Sequence, residues 1–310
     1  MLKIFKTDAS GFTKEIHQFE KGCWIHLTNP SEQEKQKLVT ELNIDLEFLH
    51  DALDDEEIGR IDMEENRVML FVDIPLHING GKDIYTTVPL GILIMEDYFV
   101  TVCLEETAVM NEFLQGKVKH FHTHMRTRFV LQILSSTSLY YLQYLKKINR
   151  KMEALELSLR RSMKNNELLT LLELQKSLVY FSTSLETNKL LIGRLLNGSY
   201  LKMYEEDKDL LEEVKVEIQQ AIKMSEIYTA ILGNIMNGFG SIISNNLNHV
   251  VKLLTAITIV ITLPMVIGTY YGMNVALPFQ DSPTAFSIIM IISATITTIT
   301  ALWFWKKKYF

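Results

Sequence analysis

The sequence predicts an α/β cytoplasmic domain, then long stalk helices, then a two-helix transmembrane hairpin. Three observations carry this. Leu253 to Met273 is a 21-residue apolar run without a charge, and Pro283 to Trp305 is a second uncharged run, each long enough to cross ~30 Å of hydrocarbon. Residues 1–125 alternate short apolar runs with helical patterns, as mixed α/β domains do. From Arg126 onward the apolar residues recur at threes and fours, the period of packed helices.

In chain order, Trp24 to Leu27, Val68 to Ile74, Val88 to Met95 and Tyr98 to Leu104 are rich in Val, Ile, Phe and Tyr and read as strands. The last two form a hairpin turning at Glu96-Asp97. Asn29-Pro30-Ser31 opens a helix, with Pro in the first turn and Ser31 to Glu34 as a capping box. A second helix covers Leu46 to Leu53. It runs into Asp51, Asp54, Asp55, Glu56 and Glu57, an acidic group read as a solvated loop because the spacing of an EF-hand is missing. His120, His122 and His124 stand among Lys117, Lys119, Arg126 and Arg128, which disfavour a cation, so they read as an exposed connector.

One helix then runs from Arg126 to about Lys164, turns at Asn165-Asn166, and returns to about Leu196. Asn197-Gly198-Ser199 breaks the pattern. No proline occurs from Met203 to Leu263, so one helix runs from the stalk into the membrane; Gly233, Gly238 and Gly240 would each weaken it by roughly 1 kcal/mol, which close packing or bending must offset. The chain thus divides into an α/β domain (1–125), a helical hairpin (126–200), a stalk helix (201–249) and a transmembrane domain (250–310). The last comprises a first span at about 250–272, an outer loop at 273–283, a second span at about 284–305 and a basic tail at 306–310.

The N-terminus lacks the apolar core of a secretory signal. Lys306, Lys307 and Lys308 follow the second span, whereas the outer loop has no Lys or Arg, so the positive-inside rule puts both termini in the cytoplasm of a cell-membrane protein. Cys23 and Cys103 sit in apolar surroundings and read as reduced, buried thiols. A net charge of -6 without a basic stripe argues against nucleic acid as a partner. There is no phosphate-binding glycine loop, no His-Glu-x-x-His and no nucleophile elbow, so no enzyme is expected.

Within the first span, Asn248, Thr255, Thr258, Thr262 and Thr269 are spaced 7, 3, 4 and 7, and Val251 and Met265 fill the gaps on the same face. Threonines commonly bond their own i−4 carbonyls in membrane helices. Four in register, ending at Gly272-Met273-Asn274, point instead to a polar pathway. Two helices per chain cannot enclose one, so it must lie between copies. Helices ~9.5 Å apart and ~5 Å in radius leave a lumen radius of about 3 Å for five copies and under 2 Å for four. A hydrated Mg²⁺ needs about 3.5 Å, and six copies would also suffice. Asn274 would offer a ring of neutral amide oxygens at the outer mouth, able to hold the water shell of Mg²⁺ without trapping the ion. Gly272 allows the turn out of the helix, and Asp281 is the one acid of the outer loop, placed to raise the local cation concentration.

Tyr271-Gly272-Met273-Asn274 between two C-terminal spans, the Lys306 to Lys308 ending, and the run from Trp24-Ile25-His26-Leu27 to His50-Asp51-Ala52-Leu53 resemble the CorA family of divalent-cation channels or transporters, over nearly the whole chain. The resemblance implies a homopentameric funnel embedded in membrane lipid, carrying Mg²⁺ with Co²⁺ or Ni²⁺ as lesser substrates. It gives Gly272, Met273 and Asn274 the selectivity-mouth role and places Asn248, Leu254, Thr255 and Thr262 at pore-lining or gate positions. It implies no resident cofactor, Mg²⁺ being cargo and regulator. Regulation by Mg²⁺ between neighbouring cytoplasmic domains is implied too: Glu213 matches the stalk acid, while His77 and Ile78 fall near its partner's place, leaving Asp73 or Asp83 as candidates. Many relatives carry Met-Pro-Glu shortly after the tripeptide, where this chain has Val275-Ala276-Leu277-Pro278-Phe279-Gln280. A Zn²⁺, Co²⁺ or Ni²⁺ transporter of the same architecture and a membrane-tethered metal sensor without transport are the alternative readings.

Overall fold

The computed structural model describes residues 1–8, 11–64, 67–79, 83–161, 165–278, 282–307 and 309. The chain divides into two compact units, Met1–Asn234 and Ile235–Phe310. In the first, seven strands form one sheet: β1 (Leu2–Thr7), β2 (Thr13–Ile16), β3 (Cys23–Thr28), β4 (Arg60–Glu64), β5 (Arg67–Asn79), β6 (Asp83–Ile94) and β7 (Tyr98–Cys103), in the order β2-β1-β3-β7-β6-β5-β4. The central β3 and β7 run parallel, with Ile25 opposite Val100, and the other neighbours pair antiparallel. The hairpin at Glu96-Asp97 is present: the Met95 amide donates to the Tyr98 carbonyl at 3.0 Å.

Helices α1 (Glu32–Leu42) and α2 (Leu46–Asp51) cover one face, where Leu38, Phe48 and Leu49 join Ile25, Leu27, Val100 and Val102 in a buried cluster. The capping box forms, with the Glu34 carboxylate accepting from the Ser31 amide at 2.9 Å. Pro30 stands before the cap rather than in the first turn. Gly91 on β6 has a positional reason: a Cβ there would lie 2.5 Å from that of Ala52, so α2 could not settle on the sheet. The acids after α2 are structural. Arg60 binds Asp51 at 2.7 Å and Asp62 at 2.8 Å, also pairs with Glu57, and lies 4.5 Å over the Phe71 ring.

The other face carries an aromatic core. The Trp24 ring stacks on Phe5 at 5.1 Å and meets Phe129 edge-on at 5.1 Å, and Phe129 stacks on Phe99 at 4.3 Å. After α3 (Ala108–Leu114), the histidine-rich connector is pinned by its alternate residues. Phe121 and Thr123 are buried, and Thr123 and Thr7 each accept the other's amide, at 3.0 and 2.9 Å. No group of three or more His, Cys, Asp or Glu side chains that could hold a metal ion occurs among the described residues. Helices α4 (Arg126–Arg161) and α5 (Asn165–Asn197) follow. Asn165-Asn166 belong to α5, whose first turn uses the Asn166 carbonyl as acceptor for Thr170 at 2.9 Å, so they are helical rather than a turn; residues 162–164 lie outside the described residues. Both thiols are free and buried, and burial pushes that of Cys103 up to about 12.

His26 lies in the centre of this sheet, 2% exposed, between Thr101 at 2.8 Å and Thr28 at 3.0 Å. Burial lowers its pKa from 6.5 to about 3, Lys3 adding to the effect. A depressed histidine pKa means that the unfolded chain takes up the proton first. The stability His26 contributes is therefore complete above about pH 6.5 and is lost as pH falls toward about 3, by no more than about 5 kcal/mol. Denaturation of the detergent-solubilised chain should show this loss, and His26→Gln should flatten it across the same window. An unchanged slope in the variant would remove His26 as its source.

Helix α6 (Glu205–Tyr271) is continuous over 67 residues with Pro264 inside it, and α7 (Ala285–Lys306) returns from its far end. Both have a stretch long and apolar enough to cross a membrane. A Cβ at Gly233, Gly238 or Gly240 would meet nothing within 4 Å, so no packing within one chain explains these glycines.

Candidate functional site

Along the membrane-length part of α6, from Val251 to Tyr271, the least exposed positions are Leu253, Ala256, Val260, Leu263 and Ile267, spaced 3, 4, 3 and 4. They form a seam, two of whose residues, Leu263 and Ile267, line a groove with Ile296 of α7. At 100° per residue, this seam and the stripe of Asn248, Val251, Leu254, Thr255, Thr258, Thr262, Met265 and Thr269 are centred roughly 160° apart. All eight stripe residues are exposed. The single chain thus covers one face of α6 and leaves the polar face exposed, with Thr258 and Thr262 at its edge sharing a groove with Ile296 of α7.

The threonine hydroxyls donate to their own helix: Thr255 to Val251, Thr258 to Leu254, Thr262 to Thr258 and Thr269 to Met265, all at 2.7–2.8 Å. That bonding has a chemical consequence. Once the proton is committed to the backbone, the hydroxyl oxygen faces outward as an acceptor. The waters around a cation point their hydrogens outward and so require acceptors, which such a face offers without a charge.

The polar face begins earlier than Asn248. Met236, Asn237, Gly240, Ser241, Ser244, Asn245 and Asn248 line one shallow groove on α6. Asn237, Ser241, Ser244 and Asn248 are spaced 4, 3 and 4, and Val251 and Thr255 continue the alternation to Thr269. The spacing that marks this lower part is present in the sequence, ahead of the uncharged run. A 4-3 repeat is also the spacing that keeps one helix face against an axis shared with copies of itself.

At the far end the helix closes with bonds from the Gly272 amide to the Gly268 and Thr269 carbonyls at 3.0 and 3.2 Å, and Met273 and Asn274 are exposed beyond it. Gly272 is not demanded by this turn. Its φ is not left-handed, and a Cβ would meet only ordinary neighbours at 3.5 and 3.6 Å. Nothing in one chain therefore requires glycine here, contrary to the turn argument.

Asp281 lies outside the described residues, as does the side chain of Asp83. Asp73 is buried, 7% exposed, where its carboxylate accepts from Thr187 at 2.6 Å and its backbone is bracketed by Asn188 and Tyr141. Burial raises its pKa, with Thr187 and Ser184 opposing. This acid ties β5 to α4 and α5 and does not reach a surface. Glu213 is exposed on α6, one turn before Glu217, which accepts from Ser138 on α4 and whose pKa burial raises, Glu213 adding to the effect.

Similarity to known proteins covers both units. A "Cobalt/magnesium transport protein CorA" of Methanocaldococcus jannaschii is 28% identical over 282 residues, 89% of this chain and 87% of that protein. A "Magnesium transport protein CorA" of Helicobacter pylori is 27% identical over 143 residues, 46% of this chain and 44% of that protein. The solved "complete structure of CorA magnesium transporter" from M. jannaschii superposes with a TM-score of 0.85 at 24% identity, covering 100% of this chain and 99% of that one. The family model described as "CorA-like Mg2+ transporter protein" matches residues 19–308, and with the two membrane-length helices this establishes that the chain belongs to the CorA family of divalent-cation transporters.

Proposed function

We propose that this chain is an Mg²⁺ uptake channel of the cell membrane, built from five copies whose α6 helices surround the pathway. The observation that carries the reading is the exposed polar face of α6, opposite the seam and ending at Gly272-Met273-Asn274. Five such faces enclose a lumen of about 3 Å radius, close to that of hydrated Mg²⁺. Close approach of five copies also supplies the missing reason for Gly272, since small residues let helix ends converge. Lys252 stands with Lys306 and Lys307 at one end of the hairpin, and the charge asymmetry places both termini in the cytoplasm. Asn274 then faces outward, with Asp281 near it in sequence.

Cytoplasmic Mg²⁺ restrains the flux in this reading. Glu213, exposed on the stalk, is the acid we assign to that role; Asp73 is withheld from it by burial. One liposome experiment tests substrate and control together. Mg²⁺ influx should be inhibited weakly by Co²⁺ or Ni²⁺ and should fall several-fold when Mg²⁺ is raised on the cytoplasmic side, a fall that Glu213→Lys relieves. Dominant competition by Zn²⁺, or flux driven by a proton gradient, would make this a zinc transporter. An unrelieved fall would locate the control elsewhere.

A further inference from the structure

The end of the hairpin bearing Lys252, Lys306 and Lys307 has a composition that carrying a cation does not explain. No Asp or Glu occurs from Ile227 to Gln280 or from Ser282 to Phe310, so neither span offers these lysines an acidic side chain. All three are exposed. Lys252 lies roughly 100° around α6 from the centre of the polar stripe, directed away from the pathway. Leu263 of α6 and Ile296 of α7 line one groove. Eleven residues from Leu263 back along α6 is Lys252, and eleven onward from Ile296 along α7 is Lys307, so both helices run about 16 Å from that level to a lysine.

Beside them, Trp303 and Trp305 are 54% and 69% exposed, as aromatic side chains are at a membrane surface. Trp303, Lys306 and Lys307 share one face of α7 at i, i+3 and i+4. The chain end is held in place: the Tyr309 amide donates to the Phe304 carbonyl at 3.1 Å, and the two rings lie 5.3 Å apart. This sets Tyr309 beside the buried Phe304.

We propose that Lys252, Lys306 and Lys307 seat the headgroup of an anionic phospholipid of the inner leaflet, with its acyl chains along Trp303. The proposal rests on the membrane orientation inferred above. Four lysines, counting Lys308 in the sequence, meet the density at which basic residues beside a span select anionic lipid. Phosphate oxygens supply the negative charge that the protein withholds here.

The chain has three tryptophans, and Trp24 is fully buried in the first unit, so quenching by brominated acyl chains reports Trp303 and Trp305. The full chain would be reconstituted in phosphatidylcholine carrying either brominated phosphatidylglycerol or brominated phosphatidylcholine. Brominated phosphatidylglycerol should quench at a mole fraction lower by on the order of fivefold or more. The variant K252Q/K306Q/K307Q should lose that preference, and millimolar inorganic phosphate should leave it intact. Equal quenching by the two lipids, a preference that survives in the variant, or its erasure by phosphate would each overturn the lipid seat while leaving the transport reading standing. No quenching by either lipid would overturn the membrane placement of α7 and the seat with it.

Discussion

Asn274→Ala should lower Mg²⁺ flux in liposomes by about a hundredfold or more while leaving the assembled protein and its thermal stability unchanged. Asn274 is exposed past the end of α6, and no hydrogen bond of its side chain occurs among the described residues, so its loss costs the single chain little. In a ring of five, however, the substitution removes five amide oxygens at one level. Hydrogen bonds to charged groups contribute about 1.5–3 kcal/mol each, and two lost bonds already exceed a hundredfold. Asn274→Asp separates recognition from attraction. Carboxylates would hold the hydrated ion more tightly and slow its release, so saturation at lower Mg²⁺ with a reduced maximal rate is expected. Flux equal to the unsubstituted protein in Asn274→Ala would place selection elsewhere on the pathway.

The elements that bury two faces or one long stripe were legible. β3, β5, β6 and β7 carry continuous apolar runs, α4 to α6 carry sustained periodicity, and α7 is an uncharged run of membrane length. β1, β2 and β4 escaped because they are at or near the edges of the sheet, where Lys14, Glu15, Asp62 and Glu64 alternate with few apolar residues. The acids after α2 read as a solvated loop, and Glu57 among them is held by Arg60, whose side-chain direction no spacing rule supplies. Asp73 was a candidate sensor for a similar reason. A carboxylate on a strand reads the same whether it meets solvent or the Thr187 hydroxyl of a helix 114 residues away. The exposed polar stripe of α6 was legible from its spacing, and its lower part, Asn237 to Ser244, precedes the uncharged run. Gly272 shows the opposite limit: the sequence marked the residue, and one chain's geometry gives it no task.

The polar face itself is tested by replacing its hydroxyls. The combined substitution Thr255→Val, Thr258→Val and Thr262→Val keeps side-chain shape, and each threonine proton already serves the helix backbone, so the spans should insert and assemble as before. What disappears is three outward acceptors per copy. Neutral hydrogen bonds contribute about 0.5–1.5 kcal/mol each, so a hydrated cation passing this level should meet a barrier higher by a few kcal/mol and flux should fall at least tenfold. The same chemistry exists on α7 as an internal control. Thr295 and Thr298 donate to Ile291 and Ala294 at 2.7 Å in the same way, yet Thr295, Thr297, Thr298 and Thr300 are spaced 2, 1 and 2 and form no single face. Thr295→Val with Thr298→Val should leave flux unchanged. If both sets lower it alike, threonine is serving helix packing in the bilayer; if neither does, α6 is a tether and the ion passes elsewhere. Loss confined to the α6 set would tie transport to acceptor position, because the two sets share their residue type and backbone bonding and differ in whether the oxygens belong to the continuous stripe of α6.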